Sequence, residues 1–140
     1  MCGSVRYETQ GAPVKVLNCH CQSCRQHTGA PMATLSVFKS DQVKFSGTAR
    51  KIYQSSPEIG RGFCTECGSS LSWECDLGAL GPVCALHVSS SDEPDALPPV
   101  GHTFYSERIA WFDVVDELPR YDGMSADNSI IRHGPAPRIP

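Results

Sequence analysis

The chain has 140 residues, with 12 basic and 15 acidic side chains and a formal net charge of -3. This acidic balance, without a concentrated run of Lys or Arg, argues against a nucleic-acid partner. No apolar stretch approaches the roughly 20 residues of a membrane span, and no secretory signal follows Met1. We therefore expect a cytoplasmic protein without a membrane partner, folded as one domain with its own core.

Short apolar or alternating segments, separated by turns rich in Gly, Pro and Ser, occupy most of the sequence. A loop is predicted over residues 55–60, and a short turn or helix follows Cys19 and ends at residues 28–31. The segments predicted as strands are 5–8, 14–17, 32–38, 43–45, 51–54, 70–74 and 83–88. Strands this short and numerous predict a mainly β domain.

The sequence changes character near its end. A polar, proline-rich segment, 89–99, is predicted to be a surface loop rather than a linker, because aromatic residues return soon after it. From Asp122 onward the hydrophobic period is lost and Gly, Pro and Ser increase. We therefore expect a domain over 1–121 and a loosely ordered tail over 122–140. The aromatic side chains expected in the core are Tyr53, Phe63, Trp73, Trp111 and Phe112.

The clearest chemical signal is a set of three cysteines within six residues, Cys19, Cys21 and Cys24, followed by the pair Cys64 and Cys67. Two cysteines separated by two residues can aim both sulfurs at one point, and Zn²⁺ binds such ligands in a tetrahedron with bonds of about 2.3 Å. A secreted disulfide scaffold is the alternative, but neighbours as close as Cys19 and Cys21 pair badly. Metal ligation is the favoured interpretation.

An ordered set of motifs accompanies these cysteines from Cys2 to about Tyr121. The motifs are Cys2-Gly3-Ser4-Val5-Arg6-Tyr7, Cys19-His20-Cys21-x-x-Cys24-Arg25, Gly29-Ala30-Pro31, Tyr53-x-Ser55-Ser56, Arg61-x-Phe63-Cys64-x-x-Cys67-Gly68-Ser69-x-Leu71 and Pro99-x-x-His102. Together they resemble the glutathione-dependent formaldehyde-activating enzyme family, which also includes the centromere protein V group. The resemblance implies a zinc-bearing β-tent fold of short antiparallel strands with two zinc sites.

The resemblance also implies which cysteines serve each zinc site. Cys2, Cys64 and Cys67 match a structural site, and Cys19, Cys21 and Cys24 match a functional one.

The structural site is one ligand short in this sequence. The family's further structural cysteine would fall immediately before Met1, which raises the hypothesis that translation begins upstream. Otherwise water, the terminal amine or another side chain would be the fourth ligand. Cys75 or Cys84 is a reserve candidate, although their strand-like surroundings predict buried hydrophobic roles.

A site of three thiolates with an open position suits a thiol substrate. Three Cys⁻ around Zn²⁺ leave a net charge of about -1, which weakens Lewis acidity for hydrolysis but still allows a substrate sulfur to be held as thiolate. With the resemblance, this predicts a zinc-dependent carbon–sulfur lyase similar to S-(hydroxymethyl)glutathione synthase. Its expected partners are a glutathione-like thiol and formaldehyde, interconverted with their S-hydroxymethyl adduct.

Two other classes of function stay open. The chain could be a non-catalytic, zinc-stabilised binding module, in which a fourth protein side chain would close the zinc of the Cys19–Cys24 loop. It could also be a metal-free sensor of oxidants that uses its clustered thiols.

Residues outside the cysteine motifs receive weaker assignments. Arg25 follows the last ligand and could offset thiolate charge or bind a glutathione carboxylate. His102 matches a position that the family tends to keep and is the second candidate catalytic residue, against the alternative of a histidine at a strand edge. His20, between two ligands, is expected to point away from the sulfurs and to be an exposed loop residue rather than a proton shuttle. Substrate contacts are considered for Ser55 and Ser56, although turn chemistry explains these residues equally well, and stabilisation of the loop is the alternative considered for Arg61.

Overall fold

The computed structural model describes residues 1–124, so that most of the predicted tail lies outside the described residues. The described chain forms nine strands and one α-helix, joined by 3-10 turns. The strands are β1 (Arg6–Thr9), β2 (Lys15–Cys19), β3 (Ala33–Lys39), β4 (Val43–Ser46), β5 (Arg50–Ser56), β6 (Ile59–Cys64), β7 (Ser70–Asp76), β8 (Pro82–His87) and β9 (His102–Thr103), and the helix α1 is Gln22–Thr28. The prediction of a mainly β fold is confirmed, and every segment predicted as a strand overlaps one of these strands.

Contacts along the chain define two compact units, and each is described by itself. The first comprises Met1–Val16 and Thr34–Pro99, and the second comprises Leu17–Ala33 and the chain from Val100 onward. The boundaries predicted from the sequence, 1–121 and 122–140, stay a prediction. None of the helices in the described residues is long and apolar enough to cross a membrane.

The first unit is built from antiparallel strands. β1 pairs with β4, and a separate run of strands lies in the order β5-β6-β7-β8-β3. One core cluster of this unit consists of Phe38, Cys84 and Leu86. These residues come from β3 and β8, whose register places Phe38 opposite Cys84. The apolar runs that predicted these two strands are therefore explained by burial.

The predicted loop over residues 55–60 is wrong, because the chain there forms a tight hairpin. β5 continues to Ser56 and β6 begins at Ile59, so that only Pro57 and Glu58 form the turn. Gly60, which lies within the predicted loop, and Gly62 have a packing role in β6. A Cβ on Gly62 would collide with Ser72 Oγ and would lie 3.5 Å from Glu74 Oε1. Glycine in β6 thus leaves room for side chains of the neighbouring strand β7.

The five aromatic side chains assigned to the core divide unequally. Trp73 is buried as predicted, and Phe63 and Phe112 are half-buried. Tyr53 is 64% exposed because it lies on β5, which ends its sheet, and Trp111 is 78% exposed in a segment without regular structure. The predictions for Tyr53 and Trp111 are therefore wrong.

The second unit contains a short parallel pair between the end of β2 and β9. Asn18 is opposite His102, and Cys19 is opposite Thr103. The backbone of His102 also pairs on its other side, donating to Pro119 O at 2.8 Å and accepting from Tyr121 N at 2.8 Å. His102 therefore lies in the middle of three paired segments. β9 is nevertheless the last strand of its sheet, so the alternative of a histidine at a strand edge stays open.

Helix α1 begins directly at the cysteine loop. Cys21 is its N-cap residue, and the Sγ atom accepts a hydrogen bond from Cys24 N at 3.3 Å. The helix ends at Thr28 and is followed by the C-cap residue Gly29, whose φ of 65° is favourable for glycine. The backbone N–H of Gly29 donates to Arg25 O at 2.8 Å. Strand end and helix start are thus joined by a turn that contains the thiols.

Candidate metal centres and active site

The structure brings together the side chains of Cys19, Cys21 and Cys24, which we call the buried triad. Cys19 ends β2, Cys21 caps α1, and Cys24 lies in the first turn of α1. All three residues are buried, and their Sγ atoms lie within 4.8 Å of one another. Bonds of about 2.3 Å in a tetrahedron would place sulfurs about 3.8 Å apart. The buried triad could therefore hold a metal ion after only a small contraction.

The repulsion that three adjacent thiolates would have also favours a bound cation at the buried triad. Hydrogen bonding with Cys21 and Cys24, together with burial, raises the pKa of the Cys19 thiol well above its ordinary value. Three adjacent thiols cannot all become thiolates without a compensating positive charge. A soft divalent cation supplies that charge and accepts this donor set.

A second group, Cys2, Cys64 and Cys67, is called the open triad because Cys2 is exposed. The three Sγ atoms lie within 4.8 Å of one another, and those of Cys2 and Cys64 are 3.6 Å apart. Hydrogen bonding to Ser69, whose Oγ lies 3.2 Å from Cys67 Sγ, lowers the pKa of Cys67 to about 6. This triad could also hold a metal ion.

No fourth His, Cys, Asp or Glu joins either triad within residues 1–124. The reserve candidates for the fourth ligand, Cys75 and Cys84, are not part of the open triad. Both are buried, and burial raises the pKa of each to about 12. They act as buried apolar side chains, as their strand context predicted.

A buried chain of side chains adjoins the thiol loop. His20 Nε2 lies 2.8 Å from His102 Nδ1, and His102 Nε2 lies 3.0 Å from Asp116 Oδ2. Neither histidine has any exposed surface. The expectation that His20 is an exposed loop residue is therefore wrong. Burial, followed by the neighbouring His102, lowers the pKa of His20 to about 4.

Sequence reasoning missed Asp116, which closes this chain. Its Oδ1 accepts from Leu118 N at 3.0 Å and lies 3.1 Å from Arg120 Nη2. The hydrogen bond from His102 is the main cause that lowers the pKa of Asp116. No sequence motif connects Asp116 with the thiols, so nothing short of the fold identifies it.

Tyr105 was also missed, and it packs against both histidines. Its ring lies edge-on to His20 and to His102, with centroids 5.1 and 5.7 Å away. The preceding residue, Phe104, has a φ of 53°, which is rare for an aromatic side chain. This turn directs the chain so that the Tyr105 ring packs beside the histidine pair.

The guanidinium group of Arg25 connects two backbone segments of the second unit. Arg25 Nε donates to His20 O at 3.0 Å, and Nη2 donates to Glu107 O at 3.1 Å. The side chain of Glu107 in turn accepts from Gln22 N at 3.0 Å. Arg25 therefore fixes a positive charge beside the thiol loop.

The remaining candidates lie in the hairpin of the first unit. Arg61 is buried, and its Nε donates to Ser55 Oγ at 3.2 Å. Ser55 Oγ donates in turn to Ile59 O at 3.2 Å. These contacts stabilise the β5–β6 turn, as the alternative for Arg61 proposed. Ser56 is exposed at the end of β5.

The fold of this chain was compared with those of solved structures. A solved crystal structure of a Rhodobacter sphaeroides protein has a similar fold, with a TM-score of 0.51 and 15% sequence identity. The match covers 85% of this chain and 94% of that one. At this identity the likeness concerns the fold alone. No curated protein matches the sequence significantly.

The sequence itself matches a family model over residues 1–107. This range includes both cysteine triads, Arg25 and His102, but ends before Asp116. The model describes the glutathione-dependent formaldehyde-activating enzyme, and it covers well over half of the chain. The chain therefore belongs to the glutathione-dependent formaldehyde-activating enzyme family.

Proposed function

We propose that the protein is a zinc-dependent carbon–sulfur lyase that interconverts a glutathione-like thiol plus formaldehyde with the S-hydroxymethyl adduct. In the forward direction a carbon–sulfur bond forms, and the thiol proton ends on the former aldehyde oxygen. The observation that carries this proposal is the buried triad, in which three thiols converge and no fourth protein ligand joins them within residues 1–124. Family membership supports the substrate class.

Cys19, Cys21 and Cys24 would hold the functional metal. When bound there, zinc would supply a positive centre that stabilises a substrate sulfur as thiolate. The three cysteines would act as ligands rather than as nucleophiles. Their burial excludes bulk water, which strengthens the electrostatic effect of every charged group around them.

Arg25 and His102 have different proposed roles beside the buried triad. The charge of Arg25 is held in place by two carbonyl oxygens, so it can offset part of the negative charge of three thiolates. His102 has no exposed surface. We therefore propose that His102 acts by supporting His20 and the thiol loop rather than by touching the substrate.

The open triad would serve as the structural zinc site. Its ligands would be Cys2, Cys64 at the end of β6, and Cys67 in the turn that follows β6. A metal at this point would tie the start of the chain to the hairpin strand. The fourth ligand of this site would come from outside the three cysteines.

Exchange NMR tests the proposed reaction directly. Zinc-loaded protein is added to glutathione and formaldehyde at equilibrium, and magnetisation transfer between the free thiol and the adduct is measured. The expected result is exchange faster than the spontaneous reaction, and slower exchange once a chelator has removed the metal. Equal exchange with and without the protein would reject the lyase and favour the non-catalytic binding module. Replacing glutathione by cysteine then tests the choice of thiol.

A further inference from the structure

His20 lies between two cysteines of the buried triad. Its backbone N–H, its backbone carbonyl and its ring are each held by a hydrogen bond. Its backbone N donates to Thr103 O at 3.0 Å, and its backbone O accepts from Arg25 Nε at 3.0 Å. Its ring is held by His102, 2.8 Å away. The positions of Cys19 and Cys21 therefore depend on how firmly residue 20 is fixed.

Packing alone does not explain two buried imidazole rings at this place. His20 Nδ1 is buried and has no hydrogen-bond partner within residues 1–124. A buried polar atom without a partner costs stability, and an apolar side chain of similar size would avoid that cost. The hydrogen bond between His20 Nε2 and His102 Nδ1 is the contribution that such a side chain could not make.

With a neutral His102, the direction of this chain of hydrogen bonds follows from the carboxylate at its end. The carboxylate of Asp116 can only accept, so His102 Nε2 carries the proton that they share. In a neutral ring, His102 Nδ1 is then an acceptor, and His20 Nε2 donates to it.

We propose that Asp116 is a positioning residue of the buried triad: through His102 it fixes the ring of His20 and thereby holds Cys19 and Cys21 in metal-binding geometry. Groups that hydrogen-bond a metal ligand directly commonly change metal affinity by about 10- to 100-fold, and we use this range as the scale for Asp116, which acts through two histidines. Asp116 lies outside the range of the family match. The proposal rests on the metal site of the proposed function, but not on its reaction.

Site-resolved metal release tests the proposal on zinc-loaded, full-length protein. Wild type and Asp116→Ala are incubated with increasing chelator, free thiols are trapped with iodoacetamide, and labelling of each cysteine is quantified by peptide mass spectrometry. In Asp116→Ala we expect the buried triad to release metal at roughly 10- to 100-fold lower chelator activity. The open triad of the same molecule should keep the wild-type response.

Two further variants separate positioning from general loss of stability. Asp116→Asn keeps an oxygen that can accept from His102 Nε2, so its affinity should lie between those of wild type and Asp116→Ala. Glu117→Ala removes the neighbouring exposed carboxylate and should behave as wild type. If Asp116→Ala does not fold, the comparison of Asp116→Asn with Glu117→Ala carries the test.

Nitrogen NMR of labelled histidines gives a signature that a general loss of stability would not change. In the folded wild type both rings should carry their proton on Nε2, and Asp116→Ala should turn His20 into a mixture of tautomers.

Several results would overturn the proposal. The first is a wild-type His20 that carries no proton on Nε2. The second is metal release from the buried triad of Asp116→Ala that is unchanged, or that shifts equally at both triads. The third is labelling of the buried-triad thiols in the wild type before chelator is added. Absence of lyase activity with an intact metal response would instead reject only the reaction.

Discussion

The two cysteine triads have the same number of ligands but very different surroundings. The buried triad comes from six consecutive residues and lies beside two fully buried histidines. The open triad joins Cys2 to Cys64, which are 62 residues apart in sequence, and its first ligand is exposed. The two sites therefore do not differ in the type of side chain. They differ in burial and in the length of chain between their cysteines.

The length of the loop that a metal would close predicts different physical roles for the two triads. A cross-link that closes a long loop removes more entropy from the unfolded chain than one that closes a short loop. Metal at the open triad should therefore stabilise the fold. Metal at the buried triad closes only a short turn that β2 and α1 already fix on both sides. Its contribution should appear mainly in chemistry.

Removing one ligand of the buried triad should have the largest effect on activity. In Cys24→Ser we expect loss of one zinc per chain and a fall in thiol–formaldehyde exchange of at least about 100-fold, while the melting temperature changes little. Metal analysis, exchange NMR and thermal unfolding measure these three quantities. Cys84→Ser is the control, because Cys84 is buried but belongs to neither triad. Full activity of Cys24→Ser without its zinc would end the functional assignment.

The matching change in the open triad should reverse this pattern. Cys67→Ser should lose the other zinc and melt more than about 10 °C lower, because a structural metal contributes several kcal/mol to a domain of this size. Activity per folded molecule should persist at low temperature. Thermal unfolding with and without chelator measures the first effect. A wild-type melting temperature in Cys67→Ser would remove the distinction between the triads.

The difference in exposure should appear as an order of metal loss in the wild type. During slow chelation with iodoacetamide present, Cys2 and Cys67 should be labelled before Cys19, Cys21 and Cys24, since exposed ligands exchange more readily. Cys75 and Cys84 are internal controls. With pKa values of about 12, only about one in 10,000 of these thiols is ionised at pH 8. Labelling of the buried triad first would contradict the order.

The convergence of the buried triad could be predicted from the sequence because the spacing of its cysteines is local, whereas Cys2 was assigned to the open triad only through the family resemblance. A turn of two residues between cysteines already restricts where their sulfurs can point, and the structure brings Cys19, Cys21 and Cys24 together. Strands with clear alternation were found for the same reason. β6 was not, since Gly60 and Gly62 resemble loop residues when the side chains that fill the space above them are unknown.

The support of the buried triad could not be predicted, because it depends on distant segments. His20 and His102 are 82 residues apart in the sequence. Asp116 contacts His102 in a fold in which the backbone of His102 is hydrogen-bonded on both sides. Nothing in the neighbourhood of Asp116 in the sequence distinguishes it from Asp113. Local patterns thus identify candidate ligands, whereas the orientation of these side chains is a property of the assembled unit.

Arg25 offers the smallest and most specific test of how the buried triad is held. Arg25→Gln removes two hydrogen bonds of a charged donor to backbone carbonyls, at His20 and Glu107. We expect the free energy of unfolding, measured in urea with metal bound, to fall by roughly 1–3 kcal/mol. The comparison variant is Arg6→Gln, whose surface pair with Asp92 should contribute at most about 1 kcal/mol.

A comparison of Arg25→Lys with Arg25→Gln distinguishes a structural from an electrostatic role of Arg25. Arg25→Lys keeps the positive charge but cannot bridge two carbonyls with a planar group. If charge near the thiolates is what matters, Arg25→Lys should retain most of the exchange activity while losing stability like Arg25→Gln. If the bridge to His20 is what matters, both variants should weaken metal binding at the buried triad alone. Equal metal binding and activity in all three proteins would show that the thiol loop is held by β2, α1 and His102 without Arg25.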